Sequence, residues 1–192
     1  MGNTIPPLFP LRPPISERYL VRNSVSATET ELDMEPQYLR TVLAQWATGV
    51  VVVTTLDDQG SRHGMTASSF TSVALHPPLV SVCVASTGAT CRMIRRSGIF
   101  AVNVLGSDHE EIGRRFAGSA VDDRFARGHW ETATTGAAVL ADAVAWLDCA
   151  VAACYPAGDH TIVLGMVQDA ATPRPAAPLI YHDRTYYEGI AR

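Results

Sequence analysis

Five hydroxyl side chains, Thr66, Ser68, Ser69, Thr71 and Ser72, fall within seven residues of the stretch GMTASSFTSVALHPPLVSVCV, just ahead of an apolar run with strand character. A flat heteroaromatic ring with carbonyls and ring nitrogens along one edge is read by short, fixed donors and acceptors. Ser and Thr side chains and strand-edge amides supply these without bulk. The same residues also suit a loop that bonds its own backbone. A second group is STGAT, Ser86 to Thr90, where a strand gives way to a helix. The unpaired amides and positive dipole end of a helix start hold phosphate, and Ser86, Thr87 and Thr90 add hydroxyls while Arg92 adds charge one turn on. An ordinary N-cap would use the same residue types.

Other chemistries find little support. There is no Gly-x-Ser-x-Gly, and no cysteine stands in frame with a histidine. The four cysteines form no Cys-x-x-Cys, and the six histidines lack zinc-ligand spacing, so no metal site is expected. The run GVVVVTTLDDQG has no second glycine placed for a phosphate turn, which excludes the usual dinucleotide fingerprint.

The totals narrow the classes further. With 192 residues, 47% hydrophobic and 18% charged, the chain fills one globular core. A net charge of -4 leaves no basic excess for nucleic acid or an anionic membrane surface, and RMIRR and GRR read as solvated helix faces. The Ala-rich segment from Ala137 to Tyr155 is core rather than a membrane span, because Asp142 and Asp148 lie inside it. Isolated thiols and a start without a signal-peptide apolar run point to the cytoplasm. Met1-Gly2 is a poor acylation start, with Pro6 where Ser or Thr is wanted.

The elements that must position these groups follow from periodicity. Residues 1–36 hold six of the twelve prolines and an acidic stretch, an extended arm ahead of a domain over 37–192. PQYLRTVLAQWATG predicts a helix ended by Gly49, and VVVVTTL, PLVSVCVA and IFAVNVL predict strands. STGATCRMIRRSG predicts a two-turn helix closed by Gly98. SDHEEIGRRFAG predicts another, with Ser107 and Glu110 at capping-box spacing. The Ala-rich segment is read as one strand with Asp142 and Asp148 on one face, YPAGDH as a turn, TIVLGMV as a strand and APLIYHDRTYYEG as a last strand with a tail. Short strands, few helices and hairpin-length links make a small β-barrel with peripheral helices.

In this order, ATGVVVVTT, the 64–84 stretch, STGAT, FAVNVL, RFAG with DDRF, GDHTIVLG and PLIYHDRTYY resemble the flavin reductase-like proteins with the FMN-binding split-barrel fold. Many members are reductase components of two-component flavin-dependent monooxygenases. His76 stands where the family often has Asp or Asn before the Pro-Pro pair. The resemblance implies a mainly β, Greek-key split β-barrel with a few short peripheral helices. It implies ring contacts at Thr66, Ala67, Ser68 and Ser69, and phosphate contacts at Ser86, Thr87 and Thr90. Asn103, Val104 and Leu105 would line the flavin, Phe116 and Ala117 would close over it, and His160 would stand near flavin and nicotinamide.

The implied reaction is hydride transfer from NADH or NADPH to N5 of FMN or FAD, by a homodimer that supplies reduced flavin to a monooxygenase. The cofactors carry such chemistry, and the protein contributes orientation, which accounts for the missing catalytic triad. Asp159 is expected as a turn former, and Asp123 and Arg124 as an ion pair or loop-ordering residues. A tightly held flavin acting on an organic substrate, or a flavin- or haem-binding module without turnover, remain alternative readings of the same residues.

Overall fold

The computed structural model describes residues 34–118 and 123–190, so the proline-rich arm lies, but for its last three positions, outside the described residues. The chain forms α1 (Pro36–Leu43), β1 (Thr48–Gly49), β2 (Val51–Leu56), β3 (Arg62–Ala67), β4 (Thr71–Leu75), β5 (Pro78–Ala85) and α2 (Ala89–Ser97). It continues through β6 (Ile99–Val104), α3 (Glu110–Ala117), β7 (Trp130–Thr132), β8 (Ala138–Leu140), β9 (Ala145–Ala157), β10 (His160–Ala171), β11 (Leu179–His182) and β12 (Thr185–Glu188).

Seven strands form one antiparallel sheet in the order β3-β2-β6-β9-β10-β5-β4, and β1, β11 and β12 form a small second sheet. The large sheet does not close: its edges, β3 and β4, are joined by Ser68–Phe70. The strand pattern and few short helices agree with the split-barrel expectation.

Because side chains alternate across a strand, the segment through β2 feeds two cores. Val51, Val53, Ala67, Val82, Val84 and Phe100 pack on one side, closed by Cys91 and Ile94 of α2. Val50, Val52 and Leu105 pack on the other against Ile112 and Phe116 of α3, with Trp130 and Leu140. Burying one such Val or Leu contributes about 1.5–3 kcal/mol, so both faces hold the sheet in register. Lateral neighbours across β3, β2 and β6 are Ala67, Val51 and Val104 in one row, and Thr66, Val52 and Asn103 in the next.

Four local expectations change, and one open reading is resolved. Helix α1 stops at Leu43, not near Gly49, because the Ala44 carbonyl accepts from the Asp183 N–H and Thr48–Gly49 pairs with β11. The hydroxyl-rich stretch, open between strand edge and loop in the sequence, divides: Thr66, Thr71 and Ser72 lie on β3 and β4, and Ser68 and Ser69 between them. The Ala-rich segment is two strands. Asp142 lies exposed between them while Asp148 is buried in β9, where it accepts from the Thr135 N–H at 2.7 Å and the Thr135 hydroxyl at 2.5 Å. The last strand with its tail is a hairpin, β11 to β12, turning at Asp183 and Arg184 with φ of 44° and 62°. Ser107 does not form the capping box; its hydroxyl reaches Glu188 at 3.4 Å.

Candidate active site

The hydroxyl cluster lies where the sheet is open. Strand β4 pairs with β5 only as far as Ser81, leaving Cys83 to Ala85 without a strand on that side. There the Ser69 Oγ donates to the Cys83 carbonyl and accepts from the Cys83 N–H, both at 3.0 Å. Backbone bonding along an antiparallel strand repeats every two residues, so the Ala85 N–H faces the same open edge. Ser68 is exposed, and Ala67 is buried in the core beneath it.

The STGAT loop continues directly from β5 and is stitched to the GDH hairpin. The Ser86 N–H donates to the Asp159 carbonyl at 3.0 Å, and the Ser86 and Thr161 hydroxyls share a bond of 3.0 Å. The YPAGDH turn is tighter than expected: Ala157 pairs with His160, and Gly158, at φ 60°, and Asp159 make the whole turn. Glycine takes that positive φ without steric cost. His160 therefore begins β10, opposite Ala85 in the register, with its half-exposed ring on the rim. Its Nδ1 lies 2.6 Å from the Asp159 carboxylate. That hydrogen bond, helped by the nearby His160 and Arg40 charges, holds the Asp159 carboxyl below the usual range.

Helix α2 starts at Gly88, which offers no side-chain cap, so the N–H groups of Ala89, Thr90 and Cys91 have no intrahelical acceptor. Thr90 is 7% exposed, and its hydroxyl bonds no described residue. Thr87 is exposed, and its carbonyl accepts from Arg92 Nη1 at 2.8 Å, which folds the guanidinium back over the loop. Uncapped amides beside an unspent hydroxyl are a donor set that fits a phosphate.

On the other side of β3, the Thr66 hydroxyl donates to the Gly113 carbonyl of α3 at 2.6 Å. A Cβ on Gly64 would lie 2.8 Å from the Phe116 ring, so only glycine lets that ring rest against β3. Phe116 is buried and meets Phe125 edge-on, their centroids 5.0 Å apart, and Trp130 at 5.3 Å. Ala117 is exposed at the end of the helix. Asp123 and Arg124 do not pair: Asp123 accepts from the Phe125 N–H, and Arg124 bonds the carbonyls of Gly64 and Gly118.

Asn103 and Leu105 are wholly buried. The Asn103 amide donates to the Val52 carbonyl at 3.1 Å and its oxygen accepts from the Leu140 N–H at 2.7 Å, while Leu105 bonds Val50 and Leu179 through its backbone. Val104 is partly exposed in the row of Ala67.

The structure thus joins Ser69, Ser86 and His160 around the free end of β5, and joins Thr66 to Phe116 through α3. It sets Asn103 and Leu105 inside the fold, away from the surface. The Ala85 N–H and Arg124 were not singled out as site groups in the sequence. A backbone amide carries no sequence signal, and an arginine in DDRF suggests a partner in the neighbouring carboxylates.

Residues 43–189 match the family model described as the flavin reductase like domain. A flavin-dependent monooxygenase reductase subunit HsaB of Rhodococcus jostii is 38% identical over 82% of this chain and 79% of its own. Actinorhodin polyketide dimerase of Streptomyces coelicolor is 43% identical over 77% of this chain and 83% of its own. The solved structure of BorF, the flavin reductase component of a bacterial two-component tryptophan halogenase, superposes with a TM-score of 0.76 and 36% identity, covering 82% of this chain and all of that one. With the family model spanning most of the chain and relatives this similar, this chain belongs to the flavin reductase-like family.

Proposed function

We propose that the chain is an NAD(P)H:flavin oxidoreductase that passes reduced flavin to a partner monooxygenase. The observation that carries the site assignment is Thr90, 7% exposed and with a hydroxyl that bonds no described residue, at the uncapped start of the helix that follows the open edge at Cys83–Ala85. In this reading Ser86, Thr87 and Thr90, with the first amides of α2, hold the flavin phosphate. Thr66 to Ser69 and the Ala85 N–H meet the ring edge, with Val104, Phe116 and Ala117 beside it. Asn103 and Leu105 act by fixing the strand that carries Val104.

Bound flavin, FMN or FAD, supplies an electron-accepting ring nitrogen for the hydride of NADH or NADPH. The protein's share is to hold ring and nicotinamide in contact and exclude water between them. His160, fixed by Asp159 at the rim, orients the nicotinamide. A relative named NADH-dependent flavin reductase, 40% identical, and a structure titled as an NADH:FAD oxidoreductase with NAD and FAD fragments, 37% identical, support this pairing.

Relatives named as reductase subunits of monooxygenases support the oxygenase as recipient. We further propose a homodimer whose second copy borders the site. Supporting it, α1 has no buried residue and exposes Tyr38 and Leu43, and Trp46 is exposed just beyond its end. The four free cysteines support a cytoplasmic setting, and no described helix is long and apolar enough to cross a membrane.

The relative named as a polyketide dimerase, at 43% identity, favours a second reading in which retained flavin acts on an organic substrate. NAD(P)H oxidation by desalted protein, with and without added FMN or FAD, tests both. Rates that scale with added flavin support reduction of a diffusing flavin. Activity on retained flavin that requires an organic acceptor supports the second reading, and no NAD(P)H oxidation under any supply overturns both.

A further inference from the structure

Arg124, in the 3-10 turn Arg124–Ala126, reaches back across the chain to two backbone carbonyls. Its Nη1 donates to Gly64 at 3.1 Å and its Nη2 to Gly118 at 2.7 Å. Gly64 lies on β3 two residues before Thr66, and Gly118 caps the C-terminal end of α3 just after Ala117. The two bonds therefore tie β3, which carries Thr66, to the end of α3, which carries Ala117. A guanidinium is a rigid planar fork, so bridging two carbonyls fixes their separation in a way a flexible ammonium does not.

No carboxylate of the described residues pairs with this charge; Asp123 caps Phe125 instead, and the other ion pairs involve different arginines and histidines. The Arg124 Nε is buried without a partner among the described residues. Two further contacts meet at the same junction, the Thr66 hydroxyl on Gly113 and the Phe116 ring against Gly64. Thr66 ties β3 to the middle of α3. Arg124 ties β3 to the helix's end, where Phe116 and Ala117 lie.

We propose that Arg124 is a positioning residue for flavin. It sets the spacing between the Thr66–Ser69 end of β3 and the Phe116–Ala117 end of α3, and so the fit of the groups offered to the ring. The proposal rests on the flavin-reductase reading above.

Titration of FMN and FAD fluorescence with full-length wild type, Arg124→Ala and Arg124→Lys, alongside thermal unfolding and steady-state kinetics, tests it. Loss of two charge-assisted bonds should raise the flavin Kd and KM about tenfold in Arg124→Ala, with KM rising far more than kcat falls. Millimolar methylguanidinium should recover much of that affinity, and Arg124→Lys, able to hold one carbonyl, should fall between. A folded Arg124→Ala that binds flavin within about twofold of wild type overturns the proposal. So does a loss that neither methylguanidinium nor lysine relieves. If Arg124→Ala does not fold, wild-type affinity in Arg124→Lys overturns it. A wild type that binds no flavin overturns the underlying reading as well, which separates the two failures.

Discussion

Ser69 stands in for a missing strand: one hydroxyl takes both backbone bonds of Cys83, donating to its carbonyl and accepting from its N–H at 3.0 Å each. Ser69→Ala leaves both backbone groups unpaired at the sheet edge. It should lower stability by about 1–3 kcal/mol in urea unfolding and weaken flavin binding, because the 68–70 crossing loses its anchor. Unchanged stability would mean that water replaces the serine without cost.

Thr90 separates binding from folding. Its hydroxyl bonds no described residue, so Thr90→Ala removes no internal hydrogen bond while its methyl-sized remainder still fills the site. Flavin affinity should fall about tenfold in a fluorescence titration, with stability changed by less than about 1 kcal/mol, and Thr90→Ser should keep most of the affinity. Equal affinity in Thr90→Ala would remove the phosphate assignment.

His160→Ala should slow the bleaching of oxidised flavin by NAD(P)H in stopped flow by about tenfold or more, with a smaller effect on flavin affinity. The ring is half-exposed, and among the described residues its one hydrogen-bond partner is Asp159. An unchanged rate would return His160 to the role of a hairpin residue.

Gly64→Ala probes the contact between β3 and α3. The added carbon would meet the Phe116 ring at 2.8 Å and the Val53 carbonyl at 2.9 Å, and the carbonyl belongs to a paired strand that has little room to move. Overpacking of this kind costs about 1–3 kcal/mol, measurable by thermal unfolding, and flavin affinity should fall with it.

Acid sensitivity should trace to Asp108. The Arg174 guanidinium, 2.8 Å from both carboxylate oxygens, holds that carboxyl below the usual range. A carboxylate with a depressed folded pKa contributes stability above its unfolded pKa and loses it as pH falls through the folded one. Asp108→Asn should therefore be less stable than wild type at neutral pH. The gap should shrink below about pH 4 as the wild-type carboxyl protonates. A gap that stays constant down to pH 2 would assign the loss to packing.

What the sequence made legible depended on whether a residue's partner was local. The αL cap at Gly98, the strands ending at Ala85 and Val104, and the helix start at Ala89 all follow from neighbours a few positions away. Ser107 looked like a cap because Glu110 sits at the right spacing, yet its hydroxyl turns to Glu188, far along the chain. Asp142 and Asp148 looked alike by spacing, but Asp148 is buried and finds a partner in Thr135, while Asp142 lies exposed at a turn. Asn103 reads as a ligand-facing amide until the pleat turns it toward Val52 and Leu140. Which face of a strand a polar residue takes is decided by sheet order, and no local pattern encodes that order.

The open seam beside Cys83 has a kinetic meaning. Edges β3 and β4 share no ladder, so a planar guest seated there can depart without any strand pair unzipping. For flavin in the proposed site, the barrier to exit would be the parting of a loop from one strand end rather than the melting of a sheet. A carrier that must load, react and unload on every cycle gains turnover from such an exit. A protein that kept its cofactor for life would be expected to stitch that border shut.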